Sequence, residues 1–116
     1  MYAVIRHYRI DKRHSNEIDQ KIRDQFTQLI EKAPGFISYH WVNNGEGDAS
    51  SVSIFEDKMQ ALDSNRLAAK FVKESLSKLG MGSPIISEGT LQAHTERAPR
   101  SRQSKDWSAS HQSPAL

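Results

Sequence analysis

The sequence predicts an α+β domain of βαββαβ order, with a four-stranded antiparallel sheet and two helices on one face. Three observations carry this. Ile18 to Ala33 and Met59 to Leu79 place apolar residues at helical spacing. Tyr2 to Ile10, Phe36 to Asn43, Ser51 to Phe55 and Ile85 to about His94 are rich in β-branched and aromatic residues. Each helical stretch also falls between two strand stretches.

The elements follow in order. Tyr2 to Ile10 reads as the first strand and Asp11 to Ser15 as a polar loop. Asn16 is the expected cap of the first helix, with Glu17 and Asp19 where carboxylates suit the helix dipole. Ile18, Ile22, Phe26, Leu29, Ile30 and Ala33 form its stripe, at steps of 4, 4, 3, 1 and 3. Pro34-Gly35 ends it. Strand two, Phe36 to Asn43, and strand three, Ser51 to Phe55, are joined into a hairpin by the turn-forming Asn44-Gly45-Glu46-Gly47-Asp48. Asp57 caps the second helix. Its stripe slips by one residue between Leu62 and Leu67, which predicts a break or a fresh cap at Ser64-Asn65. Gly80, Gly82 and Pro84 end it before strand four.

Two βαβ units with right-handed crossovers give the ferredoxin-like arrangement. A sheet covered on one side should alternate apolar and polar residues. Here both parities are apolar: Tyr2, Val4 and Tyr8 against Ala3 and Ile5 in strand one, and Phe36 and Val42 against Ile37, Tyr39 and Trp41 in strand two. Two helices cover only one side, so the expected partner for the other is a second copy, giving a homodimer that closes into an α/β barrel.

Composition narrows the function. The absence of Cys excludes disulfide scaffolds, thiolate zinc sites and Cys nucleophiles. No apolar run approaches the roughly 20 residues of a membrane helix, and the start of the chain is not a secretory signal, so a cytoplasmic protein is expected. Residues 1–96 carry 12 Lys and Arg against 13 Asp and Glu, a net of -1, whereas 97–116 carry four Lys and Arg against one Asp, a net of +3. The basicity thus belongs to a Ser- and Pro-containing tail, expected to be disordered, beyond a domain of residues 1–96. A net negative domain that lacks the aromatic-glycine strand pattern of RNA-recognition domains makes a nucleic-acid partner unexpected.

Pro34-Gly35-Phe36, Ser53-Ile54-Phe55-Glu56-Asp57, Leu67-Ala68-Ala69-Lys70-Phe71 and Ser83-Pro84-Ile85-Ile86 together resemble the antibiotic-biosynthesis-monooxygenase-like family of dimeric α/β-barrel proteins. The likeness spans about residues 2–95. The family includes cofactor-independent oxygenases of planar phenols or quinols, haem-degrading enzymes and many members of undetermined activity, so the resemblance implies one of these. The haem-degrading pattern has an Asn on strand one, a Trp at the end of strand three and a His on helix two. The matching positions are Arg6 and Phe55, and residues 58–79 contain no His, so haem is not expected.

The candidate chemistry then reduces to a few residues. His7, His14, His40, His94 and His111 show no metal-ligand spacing, so neither metal nor cofactor is expected. Arg6 is either paired across the sheet with Glu56 or Glu88, or available to stabilise an oxyanion on a phenolic substrate. His40 is the candidate base. Tyr8, Phe55 and Phe71 are the candidate walls of a pocket for a planar small molecule. The alternative is a non-catalytic dimeric module that binds a ligand or a protein.

Overall fold

The computed structural model describes residues 1–98. Most of the expected basic tail therefore lies outside the described residues. The elements are β1 (Tyr2–Arg9), α1 (12–30), β2 (Phe36–Asn43), β3 (Asp48–Phe55), α2 (58–79) and β4 (Ile85–Thr90). The sheet order is β2-β3-β1-β4, antiparallel throughout, which is the ferredoxin-like topology the alternation predicts. Strand four stops at Thr90, short of His94, although Leu91 N–H still bonds Met1 O at 2.9 Å.

Register assigns the faces. Val4 lies opposite Ser53, Arg6 opposite Ser51, and Trp41 opposite Ser51 from the other side, all facing the helices. Ile5 lies opposite Val52 and His40 opposite Val52, facing away from them. A bulge between Phe36 and Ser38 corrects the parity expected for strand two. The extra residue, Ile37, lets Phe36 share the helix face with Tyr39 and Trp41. Phe36 packs edge-on against Phe55 at 5.9 Å between ring centroids. The open face exposes Ile5 at 41%, Val42 at 60% and Ile85 at 74%.

Both helices contain a wider turn, and the sequence shows why. In an α-helix each step of four residues overshoots a full turn by about 40°. The spacing Ile18, Ile22, Phe26, Ile30 would therefore drift around α1. A π turn at Ile22–Phe26 takes the drift back, and all four side chains are buried. Thr27 N–H bonds Ile22 O, and Thr27 Oγ1 donates to Arg23 O at 2.7 Å, occupying the carbonyl at the widened turn. The second helix repeats the device. Val72–Leu76 is a π turn, Ser77 N–H bonds Val72 O, and Ser77 Oγ donates to Lys73 O at 2.9 Å.

Two boundary expectations are corrected. Asn16 is not the cap of α1: Asp11 accepts from Arg13 N–H at 2.9 Å and starts a 3-10 turn at Lys12–His14 that runs into the helix. Nor does α2 break at Ser64-Asn65, because Lys58–Phe71 is continuous from its Asp57 cap. The polar pair interrupts the apolar stripe for a different reason, found at the site. Gly80 closes α2 with φ at 85°, and a Cβ there would lie 2.7 Å from the Asp11 Cβ. Only glycine meets both demands.

Candidate functional site

Arg6 is the centre of the site. β1 carries it into the layer between sheet and helices, where its side chain is 1% exposed. Nη2 donates to Ser53 Oγ at 2.7 Å on β3, and Nη1 donates to Asn65 Oδ1 at 2.8 Å and Ser64 Oγ at 3.4 Å on α2. Ser64 Oγ in turn donates to Ala61 O at 2.6 Å. These partners are neutral. Of the two expected counter-ions, Glu88 instead accepts from the Tyr2 hydroxyl at 2.8 Å and Glu56 is exposed, so the cross-sheet ion pair does not form. Among the described residues no carboxylate pairs with Arg6. Burial lowers its pKa, and the charge persists because a guanidinium binds its proton so strongly.

Two tyrosines flank this cation. Burial raises the pKa of Tyr8 and that of Tyr39, while the Arg6 charge pulls both partly back. Tyr8 and Trp41 rings are 6.0 Å apart, and Phe26 contacts both Tyr39 and Phe71 at 5.2 Å. Between these rings is an inner cavity of about 10 Å³ bordered by Arg6, Tyr8, Tyr39, Trp41, Ser51 and Phe71. That is the space of about one water. Ser51 is 1% exposed and its hydroxyl makes no hydrogen bond, although it lies close enough to Tyr39 to favour a Tyr39 phenolate.

Outside it, between α1 and β2, an open cleft of about 350 Å³ shares Ile22, Tyr39 and Trp41 with the inner cavity. This volume lies in the usual range of small-molecule sites, roughly 300–1,000 Å³. Asp19, Arg23 and Asn43 form its polar rim. Asp19 Oδ1 accepts from Trp41 Nε1 and from Asn43 Nδ2, both at 2.8 Å, and Asn43 Nδ2 also donates to Ser15 Oγ at 2.7 Å. The cluster fixes the indole that divides cleft from cavity.

The expected site residues separate. Arg6, Tyr8 and Phe71 meet at the inner cavity. Phe55 is fully buried against Phe36 and does not line it. His40 is exposed on the open face and borders a different groove, with Met1, Ile54 and His94. It cannot act with Arg6 within one subunit. Ser64, Asn65, Ser51 and Asp19 are not legible as site residues in the sequence. The stripe slip at Ser64-Asn65 is the one available signal, because polar residues on a core-facing helix position demand a buried polar partner. The residues do not fit a haem either, since α2 offers no His and the inner cavity is far too small.

No protein-family model and no curated protein matches the chain. Solved structures do. A monooxygenase, ActVA-Orf6 of Streptomyces coelicolor in complex with nanaomycin D, is similar with a TM-score of 0.63 at 16% identity, covering 84% of this chain and 92% of that one. The haem degrader MhuD of Mycobacterium tuberculosis, with two haems bound in its active site, is similar with a TM-score of 0.65 at 13% identity, over 83% and 100%. A dimeric ferredoxin-like protein from an uncultured marine organism has a TM-score of 0.62 at 13% identity, over 83% and 98%. The fold is thus the ferredoxin-like fold that these proteins share. Among the described residues no helix is long and apolar enough to cross a membrane.

Proposed function

We propose that the protein is a homodimeric α/β-barrel oxygenase without cofactor, which holds a planar phenol or quinol in the cleft between α1 and β2 with its oxygen directed at Arg6. The observation that carries this reading is a buried guanidinium with only neutral partners, next to a cleft of ligand size. A buried cation without a counter-ion favours whatever negative charge arrives beside it. A monooxygenase of similar shape was solved with the ligand nanaomycin D, which supports a small-molecule ligand.

In the proposed chemistry a substrate CH₂ activated by its phenolic ring gives a proton to Asp19 at the cleft rim. The resulting carbanion, its charge spread onto the oxygen facing Arg6, passes one electron to dioxygen. Substrate radical and superoxide combine to form a C–O bond. The peroxide anion takes a proton back from Asp19 to give the hydroperoxide. Asp19 then removes the second C–H proton, C=O forms as the O–O bond breaks, and the departing hydroxide is protonated to water. The balance is CH₂ plus O₂ to C=O plus H₂O. Arg6 stabilises each negative oxygen in turn.

The dimer rests on the open face. Ile5, Val42 and Ile85 are large apolar side chains in water on a sheet that has helices only on its other side. A second reading, a binding module without turnover, is favoured by the small inner cavity of about 10 Å³. Oxygen uptake with anthrone-like or quinol substrates separates the two. Turnover that Arg6→Met abolishes while the variant stays folded supports the oxygenase. Ligand binding with no oxygen consumption supports the module.

A further inference from the structure

The inner cavity holds an inconsistency that the proposed oxygenation does not resolve. The Arg6 guanidinium carries a full positive charge whose polar neighbours, the Tyr8 and Tyr39 hydroxyls included, are all neutral. Arg6 is 1% exposed, and its hydrogen-bond acceptors Ser53, Ser64 and Asn65 carry no charge. Buried charges are ordinarily paired, because the desolvation cost is several kcal/mol per ion. A second polar group in the same place has only the neutral Tyr39 hydroxyl near it. Ser51 is 1% exposed and its hydroxyl makes no hydrogen bond, which is rare for a buried donor. Both groups border a single cavity of about 10 Å³ whose other walls are the neutral Tyr8, Tyr39 and Trp41 and apolar side chains such as Phe26 and Met81. A water would satisfy the hydroxyl and leave the charge uncompensated. One small anion satisfies both.

We propose that the inner cavity is a binding site for one monovalent anion of the halide class, held by the Arg6 guanidinium and the Ser51 hydroxyl. The site goes beyond the oxygenase reading, since it exists whether or not the protein turns anything over. Its size makes it selective: polyatomic anions exceed a space of about one water. It also has a functional consequence. The halide occupies the position toward which a phenolate oxygen would point, so anion and phenolic ligand compete.

The test follows thermal unfolding of the full chain in chloride and in methanesulfonate, a monovalent anion too large for the cavity, at equal concentrations. A ligand that binds only the folded state raises the midpoint in a saturating way. The expected result is a saturating rise in chloride that methanesulfonate does not produce. Ser51→Val, which fills the space and removes the donor, should weaken the apparent chloride affinity by about 10-fold to 100-fold, the size of one hydrogen bond to a charged partner. Ser51→Ala should act in the same direction if the valine variant is unfolded. Equal effects of the two anions overturn the proposal. So does a chloride response that survives in the Ser51 variants, because the cations of residues 97–116 remain unchanged in them.

Discussion

Arg6 Nη1 donates to Asn65 Oδ1 at 2.8 Å, tying the middle of β1 to the middle of α2 across the core. The bond carries a full charge on one side in a nearly dry layer. Asn65→Ala should therefore cost about 1.5–3 kcal/mol of stability, the range for hydrogen bonds to charged groups. Urea unfolding at neutral pH measures it. A loss within error of zero would mean that Arg6 finds an equal partner elsewhere.

Gly80 and Asp11 define the second prediction. With φ at 85° and a Cβ clash of 2.7 Å against the Asp11 side chain, Gly80→Ala should cost about 1–3 kcal/mol. Gly82 is the control: a Cβ added there would meet no atom within 4 Å, so Gly82→Ala should unfold at the wild-type midpoint. Similar midpoints for the two variants would remove the packing argument.

Acid stability follows from Asp11. Its hydrogen bonds from Arg13 hold the carboxyl at about 2, below the ordinary 3.8. A depressed folded-state pKa stabilises the protein above the unfolded value, and this contribution disappears as pH falls from about 4 to about 2. Stability curves of wild type and Asp11→Asn should converge over that interval. Curves that stay parallel from pH 6 to 2 would show that the carboxylate contributes nothing to folding.

The open face supplies the fourth. Val42 is 60% exposed on the sheet surface expected to meet a second copy. Val42→Asp would bury an unpaired carboxylate in that contact. Sedimentation equilibrium should give a dimer for wild type and a monomer, still folded by circular dichroism, for the variant. A wild-type monomer at micromolar concentration removes the barrel.

The architecture was legible because it depends on local patterns. Asp57 caps α2 as its position suggests, α1 ends at Ile30, four residues before the expected Pro34-Gly35 stop, and apolar residues on both strand parities leave one sheet face uncovered. The site was half legible. Arg6 stood out as a charge inside a strand, but its partners lie 47 to 59 residues away, and spacing alone cannot distinguish Glu88 from Asn65. Ser64-Asn65 read as a helix break because a polar interruption and a boundary have the same sequence signature. Steps of four in both helices concealed the π turns, since a small phase drift looks like an ordinary stripe. Asp19, Trp41 and Asn43 converge only after α1 crosses β2.

The central claim is that Arg6 is a buried cation awaiting a negative oxygen, and the ionisation of a bound phenol tests it most directly. A nitrophenol, whose phenolate absorbs visible light, can be titrated in complex with the full chain and with Arg6→Met. A nearby opposite charge lowers an acid's pKa by about 1–3 units. The expected result is that downward shift in wild type and its loss in the variant. A bound phenol that ionises in wild type at the same pH as in free solution contradicts it.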